Sequence, residues 1–132
     1  MNKKRPYLTK TDGEYEIKVR VKAGCLSTDQ LEAIRDISKD YGSGEIHLTV
    51  RQEVLLFNIR EEFVEQALKR LDAVNLRGGS AGFRVRNITC CVGARCKNCA
   101  WDPLLLAREL DEKFGEMELP GAVKIAVAGC PF

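Results

Sequence analysis

Cys90, Cys91, Cys96 and Cys99 crowd into one short stretch of this 132-residue chain, and Cys130 follows in the next segment. Thiolates delivered from a loop and a strand end are what an iron-sulfur cluster needs, because its irons take sulfur ligands and its sulfides accept hydrogen bonds from nearby backbone amides. Gly93 and Gly129 would permit that close approach. The same thiols suit structural zinc, with Cys96-x-x-Cys99 as one knuckle and Cys91 and Cys130 completing the ligands. Spacing alone leaves open a cluster, a zinc site, or thiols that bind nothing. Cys25, alone near a strand end, is expected to be a small buried hydrophobe.

Positive charge coincides with the thiols. Residues 1–75 carry 13 basic and 13 acidic side chains, whereas from Ala73 to Trp101 there is no acid and Arg77, Arg84, Arg86, Arg95 and Lys97 fall inside. A single arginine on a strand commonly does no more than solvate an outer face. In company they do more: His47, Thr49 and Arg51 on one strand face, Arg84 and Arg86 on a second strand and Lys124 on a third would line an anion cavity if those strands face each other. Arginine grips carboxylates bidentately and keeps its charge when desolvated. His47 itself reads as an ordinary surface or core histidine rather than a ligand.

Composition narrows the classes. Hydrophobic residues at 45% and charged residues at 30% describe a chain that can bury a core. No apolar stretch reaches the roughly 20 residues of a membrane span, and the start, Met1-Asn2-Lys3-Lys4-Arg5-Pro6, has no apolar run behind it. A cytoplasmic protein with no membrane partner is therefore expected. A net charge of +2 and only 7% aromatic residues, none between Arg84 and Lys97, argue against a nucleic-acid partner.

The elements that must position these groups follow from periodicity. Glu14–Lys22 alternates as a half-buried strand with Tyr15, Ile17, Val19 and Val21 on one side. Ser27 and Gln30 form a capping box, with Leu26 stapled to Leu31. The helix they open runs to about Tyr41, with Leu31, Ile34, Ile37 and Tyr41 as its apolar stripe and Gly42 as a left-handed end. Glu45–Arg51 is a second strand whose Ile46, Leu48 and Val50 share a core face, and Val54–Ile59 is a third. Glu61–Leu71 is a second helix with acids first and Lys69-Arg70 last.

Three glycines in Leu76–Gly82 make a joint. Beyond it come a strand over Phe83–Thr89, the cysteine loop, a helix capped by Asp102 and Pro103, and a strand over Ala122–Ala128. Leu106, Leu110 and Phe114 are expected to face inward from that helix, and Trp101 with Leu104, Leu105 and Leu106 to be core. The fold class is α+β, a ferredoxin-like half-domain of order β-α-β-β-α followed by the start of a second α/β segment.

The motifs His47-Leu48-Thr49-Val50-Arg51-Gln52, Val85-Arg86-Asn87-Ile88-Thr89-Cys90-Cys91-Val92-Gly93 and Lys124-Ile125-Ala126-Val127-Ala128-Gly129-Cys130-Pro131 resemble those of the sirohaem-dependent sulfite and nitrite reductases. The resemblance covers nearly everything from residue 14 onward. It implies a ferredoxin-like half-domain in residues 1–76 and the opening of a sirohaem and 4Fe-4S domain in residues 77–132, with the chain stopping short of that domain's end and inactive alone. It implies sulfite or nitrite as substrate and an electron-donor protein or subunit as partner. By the same resemblance Arg51, Arg86 and Lys124 are catalytic cations, and Thr49, Arg51, Arg84, Arg86 and Asn87 hold the cofactor. Cys90, Cys96 and Cys130 are cluster ligands, with Cys91 and Cys99 as rivals. Cys90 keeps the family's Cys-x5-Cys spacing to Cys96, while Cys91-Val92-Gly93 matches its Cys-x-Gly better. The family's Lys-x-Lys pair would fall on positions 122 and 124, and here position 122 is Ala. The competing reading is a zinc-binding or electron-transfer module that keeps the fold without catalysis; iron with acid-labile sulfide separates the two.

Overall fold

The computed structural model describes Arg5 and residues 7–79 and 81–131. Met1–Lys4, Pro6, Ser80 and Phe132 lie outside the described residues. The chain begins with a strand that the alternation argument misses: β1 (Leu8–Thr11) pairs antiparallel with β2 (Glu14–Val19) across Asp12-Gly13. Both turn residues have positive φ, 50° and 87°. Asp-Gly tolerates that geometry, which is why this dipeptide closes two-residue hairpins.

Next come α1 (Thr28–Tyr41), β3 (Ile46–Leu48), β4 (Val54–Arg60) and α2 (Val64–Ala73), the last entered through a 3-10 turn. The sheet order is β1-β2-β4-β3. Ile17, Val19, Leu56 and Ile59 from the strands meet Ile34 and Ile37 of α1 and Ala67 and Leu71 of α2 in one buried cluster. The capping box on α1 is present in both directions, Ser27 Oγ accepting from Gln30 N–H and Gln30 Oε1 accepting from Ser27 N–H. Gly42 departs from expectation. Its backbone is extended (φ −120°), and glycine is needed because a Cβ there would stand 2.5 Å from the Phe57 carbonyl.

Two apolar faces are corrected. Ile46, Leu48 and Val50 are exposed, the last two at 75% and 98%: β3 is an edge strand that ends at Leu48, Val50 falls in the turn beyond it, and alternation reveals a shared face without revealing a covering layer. Leu31 is exposed as well.

The second region is looser in regular structure. The expected strands contract to β5 (Thr89–Cys90) and β6 (Ala126–Val127), paired parallel, with isolated bridges at Val85–Val123 and Arg84–Glu118 extending the contact. Helix α3 (Pro103–Phe114) starts as expected, Asp102 accepting from Leu104 N–H at 3.1 Å. It buries Pro103, Ala107 and Asp111, so Leu106 and Phe114 are exposed and only Leu110 of the expected trio packs inward. Trp101 and Leu105 are exposed, Leu104 packs on the small core, and Cys25 is exposed rather than buried. A helix bearing apolar residues on several faces does not declare which face its partner will choose. No helix among the described residues is long and apolar enough to cross a membrane.

Candidate functional site

The site is built from the turn that joins β3 to β4. Thr49 Oγ1 accepts from Arg51 N–H at 3.3 Å and from Glu53 N–H at 3.1 Å, and Thr49 N–H donates to the Glu53 carbonyl at 2.8 Å. Those bonds lock the turn and hold Gln52 at φ 59°. Thr49, expected to touch a cofactor, thus shapes the loop that aims its neighbours.

Two neighbours reach across to the second region. The Arg51 guanidinium donates to the Asn87 carbonyl through Nε (3.1 Å) and Nη2 (3.0 Å), and through Nη2 to the Ile125 carbonyl at 3.0 Å. Gln52 Nε2 donates to the Cys90 carbonyl at 2.8 Å while its Oε1 accepts from Cys90 N–H at 2.8 Å, so one amide pairs with a backbone as a strand would. Gly24 makes room: a Cβ there would sit 2.9 Å from three atoms of the Gln52 amide, and its φ is 69°. Asn87 is fully buried and answers with Nδ2 bonds to the carbonyls of Val21 (3.1 Å) and Arg51 (2.8 Å), leaving Oδ1 unpaired.

These bonds make a seam. Arg86 N–H donates to the Val123 carbonyl at 2.9 Å, Thr89 N–H to Ile125 at 3.1 Å and Cys91 N–H to Val127 at 3.2 Å. The segments carrying Arg86-Asn87 and Lys124-Ile125 therefore run side by side, with Arg51 clamped to both. Lys124 is exposed. Arg84 stands apart: it pairs with Glu118 and donates to the Glu116 carbonyl at 3.2 Å.

The cysteine loop lies at one end of the seam. Cys90 is 5% exposed and packs with Ala23, Val85, Ile88, Ala107 and Val127; burial pushes its thiol above the ordinary cysteine range. Cys91 is exposed, and backbone hydrogen bonds from Gly129 first and Gly93 second pull its thiol below that range. Such an arrangement favours the thiolate, the form that binds metal. Cys99 belongs to the same corner, since a Cβ on Gly129 would lie 2.6 Å from its Sγ; the thiol donates to the Trp101 carbonyl at 2.7 Å. Ala100 N–H donates to the Gly129 carbonyl at 2.7 Å, which ties this loop to the residue before Cys130. Cys96 and Cys130 are half-buried. Among the described residues, no three or more His, Cys, Asp or Glu side chains are gathered as a ready metal site.

Glu53 is the residue sequence reasoning missed. Its side chain is 2% exposed, and Lys18, Arg86, Arg20 and Arg51 surround it; burial is the largest influence and raises its carboxyl pKa while the four cations oppose the rise. A glutamate beside Arg51-Gln52 in a turn carries no sign of burial, because only the approach of Gly79 closes over it. Arg20 is missed likewise: buried, it donates through Nε to Asp111 Oδ1 at 3.0 Å and through Nη2 to the same oxygen, joining β2's end to α3.

Comparison with known proteins identifies the family of both regions. Residues 8–74 match the model of the nitrite/sulfite reductase ferredoxin-like half domain, and residues 81–132 that of the nitrite and sulphite reductase 4Fe-4S domain. An uncharacterized protein of Methanocaldococcus jannaschii is 38% identical over 117 residues, 89% of this chain and 42% of that protein. A subunit of the anaerobic sulfite reductase of Salmonella typhimurium is 32% identical over 139 residues, 94% of this chain and 41% of that subunit. The chain thus spans about two fifths of the length of these relatives. Dissimilatory sulfite reductase I shares the fold, with a TM-score of 0.77 at 22% identity, covering 89% of this chain and 29% of that one.

Proposed function

The chain belongs to the nitrite and sulfite reductase family, and from that premise we propose that it is part of an oxidoreductase acting on sulfite or nitrite. In this reading residues 1–76 are the half-domain and residues 77–132 the first part of the sirohaem- and 4Fe-4S-binding domain. One observation carries it: the Arg51 guanidinium joins the Asn87 and Ile125 carbonyls, aligning the Arg86 and Lys124 segments beside the cysteine loop. Committing Arg51 to three backbone bonds makes it the residue that fixes the seam, and leaves charge for an anion to Arg86, Lys18 and Lys124.

The donor set fits a cluster on chemical grounds. Cys91 offers an exposed thiol whose pKa is lowered by hydrogen bonds from the amides of Gly129 and Gly93, the hydrogen-bonding environment that suits a sulfur ligand of iron. Cys91 is accordingly the preferred first ligand, with Cys96, Cys99 and Cys130 supplying the rest, and Cys90 a core residue. The buried Arg86 Nε has no hydrogen-bond partner, which fits a cation set aside for a carboxylate or an oxyanion. When bound, cluster and sirohaem would supply the electrons and a metal centre for the reduction. The protein's own part is electrostatic: fixed cations hold the macrocycle's carboxylates and stabilise negative charge as oxygen departs.

Metal and chromophore analysis of the native protein tests this. Iron and acid-labile sulfide in equal amounts, with sirohaem retained in the wild type and depleted at least severalfold in Arg86→Ala, is the expected result. Zinc without iron, or sirohaem content indifferent to Arg86, overturns it.

A further inference from the structure

Glu53 is a buried acid to which the proposed reductase chemistry gives no task. The Thr49 bonds fix its backbone, so its side chain is delivered by a rigid turn. Its Oε1 is buried and has no hydrogen-bond partner. Gly79 closes over it so tightly that a Cβ there would stand 2.5 Å from Oε1 and 2.8 Å from Lys18 Cγ. Four cations face it: Lys18 from β2, Arg20 just beyond β2, Arg51 from its own turn and Arg86 from the second region. Two of these are committed elsewhere, Arg20 to Asp111 and Arg51 to two carbonyls. Lys18 and Arg86 form no salt bridge among the described residues, with Glu53 or any other acid, and Glu53 acts on them through space, its Oε1 and the Lys18 stem both lying against Gly79.

This arrangement sets up a competition. An anion docking on Arg86 and Lys18 brings a second negative charge to cations that already face a carboxylate. Away from water two such charges repel strongly, and the lower-energy state neutralises one of them. We propose that Glu53 is a positioning residue that holds Lys18 and Arg86 toward the anion site, and that its Oε1 takes up one proton from solvent when an oxyanion or a macrocycle carboxylate binds there. No electron moves in this step; a proton leaves the buffer and the Glu53 carboxylate becomes a carboxylic acid. The consequence is that anion binding weakens as pH rises. The inference rests on the anion site proposed for the reductase.

Nitrite is the suitable probe, because it stays ionised from pH 6 to 8 and any proton counted belongs to the protein. Calorimetry of nitrite binding to the native protein in buffers of different ionisation enthalpy should register net proton uptake. Affinity should fall with pH by up to about tenfold per unit, the limit for one coupled proton. Glu53→Gln should bind nitrite with no proton uptake and a flat pH profile. Difference infrared spectra of the wild type supply a second readout that does not depend on the variant folding, with a protonated-carboxyl band appearing on nitrite addition. Binding without proton uptake and without that band overturns the Glu53 role and leaves the reductase reading standing. Failure of the wild type to bind nitrite, and then sulfite in the same cell, removes both.

Discussion

Residues 8–74 and 81–131 hold their shape by different means. The first region is largely self-supporting: a four-stranded sheet, two helices and a continuous apolar cluster in which Ile17, Ile34, Leu56 and Ile59 are fully buried. The second has two-residue strands and a core of small residues such as Ala23, Cys90 and Ala107, one of them contributed by the first region. What it lacks in apolar area it replaces with polar ties to its neighbour: Arg20 to Asp111, Arg51 to Asn87 and Ile125, Gln52 to Cys90. The contrast shows where chemistry is accommodated. A region whose order is imposed from outside can devote its own loops to ligands, and the cations and thiols gather where the ties are.

Substitutions can test that division of labour. The largest effect is expected from Cys91→Ser, which should abolish iron and sulfide binding, while Cys90→Ser keeps the metal and lowers stability through a hydroxyl in an apolar core. Equal metal content in the two variants would show that the exposed and buried cysteines are not divided in this way. Asp111→Ala strips the buried Arg20 of both its hydrogen bonds and leaves it only the longer 3.6 Å contact to Glu116, and should cost about 3–5 kcal/mol in denaturant unfolding. Hydrogen exchange should quicken first in α3 and β6, and uniform loss of protection would contradict the dependence of the second region on the first. Gln52→Ala strips a donor and an acceptor from the Cys90 backbone and should cost about 1–3 kcal/mol, with the second region again the first to open. At the small end, Val50→Lys should change stability by no more than about 0.5 kcal/mol, whereas Leu56→Ala should cost about 2–5 kcal/mol. A large effect at Val50 would mean that the turn following β3 is covered.

Much of this was legible in the residues. Ser27 and Gln30 announce a capping box and Asp102-Pro103 a helix start because caps are local, set within one turn of chain. The alternation of Tyr15, Ile17, Val19 and Val21 places a strand for the same reason. Partners were not legible. Leu48 and Val50 alternate as cleanly as Ile17 and Val19, yet only the latter lie beneath helices. Leu106 and Phe114 are spaced like a buried stripe, but α3 turns Ala107 and Asp111 inward because Asp111 must meet Arg20. The ligand alternatives at Cys90 and Cys91 were equally open, since adjacent residues in an extended chain point to opposite sides and spacing does not say which side is the core.

The residues alone thus set local commitments and an inventory: where helices begin, which stretch lacks acids, how many thiols there are and which motifs they sit in. Which charges meet was left to the folded arrangement. Glu53, Lys18, Arg20, Arg51 and Arg86 are scattered over the chain, and their mutual influence acts through space and low dielectric rather than along the backbone. Burial turns an ordinary turn glutamate into a group that competes with the anion its neighbours attract.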